Sequence, residues 1–496
     1  MTHSTLPLFA LLPSLVGAIL ILLTGERHRN LREFWTLAAS VSKFAIIWSM
    51  LPMVLEGKVL GVEVLEIVPG VGLELKVDAF GLIFALLASG LWIVVSLYSI
   101  GYMRGLKEHA QTRYFFCFAM AIFGAVGVAL AGNLLTLYLF YEILTVATFP
   151  LVAHKETEEA MRAGRKYLAY LLTGATLVLF SIVLTFSLTG TLEFTPGGFL
   201  SGTASKAILS LLFVTYILGF GSKAAVMPIL EWLPSAMVAP TPVSALLHAV
   251  AVVKAGVFCV LRVILYVFGP KLLTDLGLWL PLAFFVSVTV IGANLLALAQ
   301  DHLKRRLAFS TINNLSVIIL GAALLSHDAV RGALLHIPFH GFMKITLFMC
   351  AGAIYVKTRQ DLISTMDGVG RQMPFTMGAF ALASAGLCGI PPVCGFISKW
   401  YLCLGAIEAK EVFFLGVFIL SALLDAAYFF PIVYAAFFKP PKHDQIKPHF
   451  DDASPWLLVP IGITALGSMV LGLFPNLSLR FFDLAGQVMK AVLAGG

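Results

Sequence analysis

The 496-residue chain is 59% hydrophobic and only 12% charged, with a mean hydropathy of +0.95. Soluble domains carry about a quarter charged residues, so these figures exclude an ordinary soluble core and indicate a polytopic membrane protein. The net charge of +7 sits in short loops between apolar runs, where lysine and arginine set topology, and offers no basis for a nucleic-acid partner.

Runs of roughly 20 apolar residues predict an all-α protein with fourteen transmembrane helices. They fall near 7–24, 34–55, 79–101, 114–131, 134–153, 166–188, 206–230, 243–268, 276–299, 307–326, 331–356, 375–405, 411–437 and 455–475. The first run, Leu8 to Leu23, has no lysine or arginine before it and no small-residue cleavage site, so it is expected to be a retained helix rather than a signal peptide. Between the second and third spans, Val59 to Glu66 alternates apolar and polar residues, which predicts a hairpin within the loop 56–78. An amphipathic tail, Leu477 to Leu493, follows the last span. The whole chain, 1–496, is expected to be one integral membrane domain. Spans four to eight (114–268) and nine to thirteen (276–437) are candidate repeats, followed by the last helix and tail at 455–496.

Basic residues test the count. With the N-terminus outside, inward loops hold nineteen: Arg27, Arg29, Arg32, Arg104, Lys107, Arg113, Lys155, Arg162, Arg165, Lys166, Lys304, Arg305, Arg306, Lys357, Arg359, Arg371, Lys439, Lys442 and Lys447. Outward segments hold eight: Lys58, Lys76, Lys206, Lys271, Arg331, Lys410, Arg480 and Lys490. That bias follows the positive-inside rule and puts both termini on the outer face. The six cysteines all lie in apolar segments, without metal or redox spacing. No cofactor fingerprint, phosphate loop or nucleophile elbow occurs, so no cofactor, no metal and no covalent chemistry are predicted.

The remaining basic residues, Lys43, Lys223, Lys254, Arg262, Lys344 and Lys399, lie inside spans. A charge at the bilayer centre costs a few kcal/mol even on the mildest scale and normally faces a partner or a wet cavity. Arg262, near the end of its helix, is expected to snorkel toward the interface. Lys43, outside both candidate repeats, is expected to be structural or a contact to a neighbouring subunit. Two of the lysines accompany breaks. Lys223 precedes Pro228, Pro234, Pro240 and Pro242; Lys399 follows Pro391 and Pro392. Broken helices at membrane depth are tolerated where they line a cavity.

Glu142, in the fifth span, is the natural ion-pair partner of Lys223, since each favours the other's charged form. Lys254 is the next station in the eighth span, with His248 nearer the break. His336, His340 and Lys344 recur every four residues and share one face of the eleventh span, with Pro338 between the histidines. Such a histidine pair fits zinc, but no third ligand or general base stands beside it in sequence, and a proton relay suits the set better. Asp425, in the thirteenth span, is either a partner for Lys399 or a cation ligand.

These stretches resemble the antiporter-like subunits shared by Mrp-type sodium/proton antiporters, respiratory complex I and membrane-bound hydrogenases. The resemblance is carried by Tyr141-Glu142, the run Ala163 to Tyr167, Glu231 to Pro234, Ala239 to His248, Gly389 to Pro392 and Gly395-Phe396. Within that superfamily the chain looks most like the Mrp-type D subunits, because Lys399 stands where one complex I subunit type has glutamate. The resemblance implies two inverted five-helix repeats, broken helices seven and twelve, and a proton path along a hydrated midplane axis. On that path Glu142 and Lys223 would be the coupling pair, Lys254 the central lysine and Lys399 the exit-side lysine, with His248 at a matching position. Asp425 and the face His336–His340–Lys344 depart from the usual pattern. The implied function is proton translocation exchanged against sodium or another monovalent cation. The implied setting is a hetero-oligomer with other antiporter-complex membrane subunits in a bacterial or archaeal cell membrane. A proton-pumping module of a quinone oxidoreductase or hydrogenase is the principal rival, and an inert scaffold a weaker one.

Overall fold

The computed structural model describes residues 2–441, 446, 449–477 and 479–493; Lys442, Lys447 and the tail end 494–496 lie outside them. Thirteen helices among the described residues are long and apolar enough to cross a membrane. They are α1 (Leu6–Thr24), α2 (Arg29–Leu55), α3 (Ala79–Leu106), α4 (Gln111–Ala129), α5 (Leu134–Val152), α6 (Glu158–Thr189), α7 (Lys206–Ala224), α8 (Thr241–Phe268), α9 (Trp279–Leu298), α10 (Leu303–Ala323), α11 (His327–Thr358), α13 (Val412–Phe438) and α14 (Pro455–Leu473). The remaining predicted span is two half-helices, α12a (Pro374–Cys388) and α12b (Cys394–Glu408), of 15 residues each. At 1.5 Å per residue each half covers roughly 22 Å, short of the roughly 30 Å hydrocarbon layer. Thirteen of the fourteen expected spans are thus membrane-length helices, and the expected span 375–405 is this broken pair.

Helix starts follow the sequence. Asn133, Thr157 and Ser326 cap α5, α6 and α11 by accepting from the backbone N–H three residues on. The predicted hairpin forms, with β2 (Leu60–Val68) antiparallel to β3 (Val71–Val77), and Thr2–His3 (β1) adds in parallel to β2. The amphipathic tail contains helix α15 (Phe481–Leu493), which buries Phe481, Leu484 and Val488; Gln487 Nε2 donates to Leu55 O at 2.8 Å.

Burial sorts the helices. Every residue in the most apolar stretch of α8 is buried, and α10 and α11 are nearly so, whereas α1, α2, α6, α13 and α14 are largely peripheral. The helices that carry Lys254, Asn313, His336, His340 and Lys344 are thus in the middle, shielded from lipid by more uniformly apolar neighbours. Loop ends predicted to share a side are tied to one another: Arg113 pairs with Glu156, Lys166 with Glu231 and Lys357 with Asp451.

Both breaks depend on close backbone approach. At α7, Ala225 turns left-handed (φ 58°), and the Trp232 indole donates to the freed Ser222 carbonyl at 2.8 Å. A Cβ at Gly256 of α8 would lie 2.5 Å from Ala224 N, so only glycine lets α8 meet the break. At α12, Gly389 (φ +83°) ends the first half, and a Cβ at Gly395 would lie 2.0 Å from Gly386 O. Within α8, Leu246–Val250 and Val263–Phe268 are π-helical, a widening that often marks functional segments.

Candidate functional site

The breaks deliver two lysines to the interior. Lys223, on the last turn of α7, is fully buried. Its Nζ donates to Tyr141 O at 2.8 Å and Thr145 Oγ1 at 2.9 Å, and stands 3.2 Å from the centroid of the Tyr141 ring. The expected direct ion pair with Glu142 is replaced by a bridged contact, because Thr145 Oγ1 also lies 3.4 Å from Glu142 Oε1. Glu142 itself is half-buried on the outer side of α5. One helical turn separates Tyr141 from Thr145, so the ammonium fits between them while the carboxylate points past.

Lys254, His336, His340, Lys344 and His248 are all fully buried. Lys254 Nζ and His340 Nδ1 lie 2.7 Å apart, which links α8 to α11 directly. The His336 and His340 rings are 5.8 Å apart, consistent with the shared face expected from their spacing. His336 Nδ1 meets Ser398 Oγ at 2.8 Å and its Nε2 meets Asn314 Oδ1 at 3.1 Å, so both ring nitrogens are engaged by protein groups. Lys344 Nζ donates to Leu307 O at 3.2 Å. His248 packs tilted against Phe348, with ring centroids 4.6 Å apart, and neither of its ring nitrogens has a protein partner among the described residues. His340 Nε2, Ser244 Oγ and Ser310 Oγ are buried and unpartnered there as well. Buried polar atoms of this kind are normally satisfied by internal water, which makes this stretch of the bundle a place where water would be held.

Lys399 ends the series. Its Nζ caps the freed Leu387 carbonyl of α12a and pairs with Asp425 Oδ2 at 2.9 Å. Asp425 is fully buried; its Oδ1 accepts from Asn313 Nδ2 at 3.1 Å and from the Tyr428 hydroxyl. Of the two roles open to Asp425 from the sequence, partner of Lys399 or cation ligand, the ion pair with Lys399 is the contact it makes here. Ser421 then donates to Asn313 Oδ1 at 2.9 Å, extending the network into α10 and α13.

Arg262 does not snorkel. It is 2% exposed and holds Asp78 in a two-pronged pair at 2.5 and 2.7 Å, ringed by Phe80, Phe194, Phe258 and Tyr266. Asp78, which also caps α3, removes the need for the arginine to reach water. Lys43 reaches Ser14 Oγ at 2.6 Å, joining α2 to α1 within the chain.

Two cavities adjoin this set. One, about 460 Å³, lies at the end shared by Lys155, His302 and Lys304 and reaches Thr241 at the start of α8. The other, about 360 Å³, is lined by Lys399, Gly389, Trp400 and Ser421 on the flank of α12b and α13. Thr145, Asn313, Asn314, Ser398, Ser421 and Tyr428 join the site without having been singled out by the sequence pattern. The adjacent amides Asn313-Asn314 are the one available signal, since two amides inside an apolar helix need partners.

The sequence pattern described as NADH:quinone oxidoreductase/Mrp antiporter, TM matches residues 131–424. A NADH-quinone oxidoreductase subunit N from Desulforudis audaxviator is 32% identical over 428 residues, covering 82% of this chain and 83% of that one. A polypeptide of a probable K(+)/H(+) antiporter from Rhizobium meliloti is 30% identical, covering 95% of this chain but 47% of that protein, so the chain spans about half of it. In the solved Mrp complex from Dietzia, one chain superposes with a TM-score of 0.88 at 20% identity, covering 99% of this chain and 97% of that one, which establishes the common fold.

Proposed function

The chain belongs to the NADH:quinone oxidoreductase/Mrp antiporter transmembrane family, and from that premise we propose that it is the proton-moving subunit of a multi-subunit monovalent cation/proton antiporter, nearest in kind to the Mrp-type D subunits. Residues 114–268 and 276–437 act as two inverted repeats, each contributing one broken helix and one lysine beside it. Protons enter from the 460 Å³ cavity at Thr241 and pass Ser244 and His248 along one face of α8. They then move between Lys254, His340 and His336 and leave through Lys399. Glu142 and Lys223 set the proton affinity of the first half: as the bridge through Thr145 tightens or loosens, the ammonium is favoured or disfavoured. Under a potential of roughly 150 mV each charge moved corresponds to about 3.5 kcal/mol, enough to drive exchange against a modest cation gradient.

The observation that supports this most is the succession of fully buried lysines and histidines from Lys223 to Lys344, two of them in direct contact at 2.7 Å. An inert scaffold gains nothing from such groups, because burying each costs several kcal/mol. The partners are other membrane subunits of the complex, and the setting is a bacterial or archaeal cell membrane with both termini on its outer face.

The second reading is a pump module of a quinone-reducing complex, favoured by the 32% identity to a NADH-quinone oxidoreductase subunit N. Everted vesicles containing the assembled complex separate the two. Collapse of an imposed pH gradient on adding sodium or potassium supports exchange. A pH gradient formed only with an electron donor, and indifferent to either cation, supports the pump.

A further inference from the structure

Away from the membrane interior, Glu108 and His109 in the turn between α3 and α4 meet His154 at the end of α5. One ligand atom from each lies within 4.8 Å of the others. His154 is fully buried, yet both of its ring nitrogens lack a protein partner among the described residues, a state it shares with His248 of the interior and not with His336, whose two nitrogens are held by neighbours. Its ring is fixed by Tyr114 edge-on at 5.7 Å and by His109 stacked at 4.9 Å. Two imidazoles and one carboxylate match the donor set of three-ligand zinc sites, whose fourth position holds water.

We propose that Glu108, His109 and His154 bind a zinc-class divalent cation and, by doing so, clamp the α3–α4 turn to the inner end of α5. Metal bonds of about 2.0–2.2 Å need donors roughly 3.3 Å apart, so the cluster must contract slightly. His109 is exposed and Glu108 half-buried, so these two can close on a stationary His154. The neighbouring Arg113 and Lys155 oppose a cation at His154, and Glu156, which shares the Arg113 guanidinium with the His154 carbonyl at 3.1 Å, offsets part of that opposition. The clamp adjoins transport machinery: Lys155, next in sequence to His154, lines the 460 Å³ cavity. Occupancy therefore restrains one wall of that vestibule, and added zinc slows transport.

The test uses the whole purified complex, loaded with Zn²⁺ or with Co²⁺ as the spectroscopic stand-in. Wild type retains one more equivalent of metal per chain than His109→Ala, and bound cobalt gives the visible absorption of a four-coordinate nitrogen/oxygen site. His109 is exposed and outside the proton path, so His109→Ala keeps basal transport while losing zinc inhibition; Glu108→Gln lowers affinity by a factor of ten or more. Equal metal content in wild type and His109→Ala overturns the site, as does cobalt absorption that persists in the variant. Equal zinc inhibition in both overturns the clamp.

Discussion

Lys399 and Asp425 form a closed ion pair at 2.9 Å, while Lys223 and Glu142 make no direct contact and are bridged by the hydroxyl of Thr145. The two lysines that accompany the broken helices are therefore in different electrostatic states within one structure. One ammonium is latched to a fully buried carboxylate; the other leans on a carbonyl, a hydroxyl and an aromatic face. The two lysines differ in pairing, so substitutions at the two places should behave differently.

Neutralising Asp425 alone strands the Lys399 ammonium, and breaking a buried pair from one side costs about 3–5 kcal/mol. Lys399 is 12% exposed, so the lower end of that range applies. Asp425→Asn should lower the thermal stability of the assembled complex and abolish transport. The double change Lys399→Met with Asp425→Leu should recover most of the stability and none of the transport. Thermal unfolding alongside a vesicle pH assay reads both, and full transport by Asp425→Asn would remove the pair from the path.

Thr145→Val removes the bridge with almost no change in volume. Lys223 then keeps the Tyr141 carbonyl and loses one acceptor, a change of about 1–3 kcal/mol in how well the buried charge is held. The expected outcome is a transport rate reduced ten-fold or more with normal assembly. Thr145→Ser, which restores the hydroxyl, should recover the rate. If valine and serine transport equally, the hydroxyl is not the link between Glu142 and Lys223.

Gly256 tests the geometry of the first break. A methyl group there would sit 2.5 Å from Ala224 N and 2.7 Å from Lys223 C, and both are backbone atoms that cannot rotate away. Overpacking of this kind costs about 1–3 kcal/mol. Gly256→Ala should reduce the yield of assembled complex and shift the unfolding midpoint down by several degrees. Gly462→Ala, where a Cβ meets nothing within 4 Å, serves as the silent control.

Much of this is legible in the sequence because the two signals involved are local. Span length follows from apolar runs, and thirteen of the fourteen expected spans are membrane-length helices, the other being a pair of half-helices. The basic residues of loops sharing a side repeat the same alternation. What sequence does not supply is pairing between helices distant in the chain. Arg262 reads as a residue that reaches for water because Asp78, its partner, stands 184 positions earlier. Glu142 and Lys223 invite each other electrostatically, but the pitch of α5 turns the carboxylate away and offers Thr145 instead. Asn313 and Ser398 are only half legible for a related reason: a polar residue in an apolar run announces that it needs a partner, not which one.

The Asp78–Arg262 pair carries a pH dependence with a defined sign. Burial raises the Asp78 carboxyl, but the charge and hydrogen bonds of Arg262, with the Gly81 N–H, outweigh it and hold the group below its ordinary value of 3.8. A depressed folded value means the stabilisation is fully present above the unfolded carboxylate range and is lost as pH falls through the folded value. The cap of α3 should therefore loosen only below about pH 4, leaving neutral-pH stability flat. Asp78→Asn should remove that acid limb while lowering stability at pH 7, read by unfolding midpoints across pH. An unchanged acid limb in Asp78→Asn would assign it to other carboxylates.

The contact between Lys254 and His340 makes the sharpest demand on the relay. At 2.7 Å one hydrogen bond joins the two, and whenever Lys254 donates, Nδ1 of His340 is the acceptor. Replacing His340 by glutamine preserves a hydrogen-bond acceptor for the ammonium but removes a group that titrates near neutrality. Structure and assembly should survive, since a buried acceptor is still offered, while transport should fall by about two orders of magnitude, the scale on which a positioned proton-transfer group acts. His340→Leu should be worse on both counts, because the fully buried Lys254 would then lose the one side-chain partner it has among the described residues. His336→Gln separates relay from packing: both of its ring nitrogens are engaged by Ser398 and Asn314, so glutamine should retain stability. Its transport should drop in step with that of His340→Gln if both histidines carry the proton. Wild-type rates in the His340→Gln variant, measured as cation-driven pH change in vesicles, would place the path elsewhere.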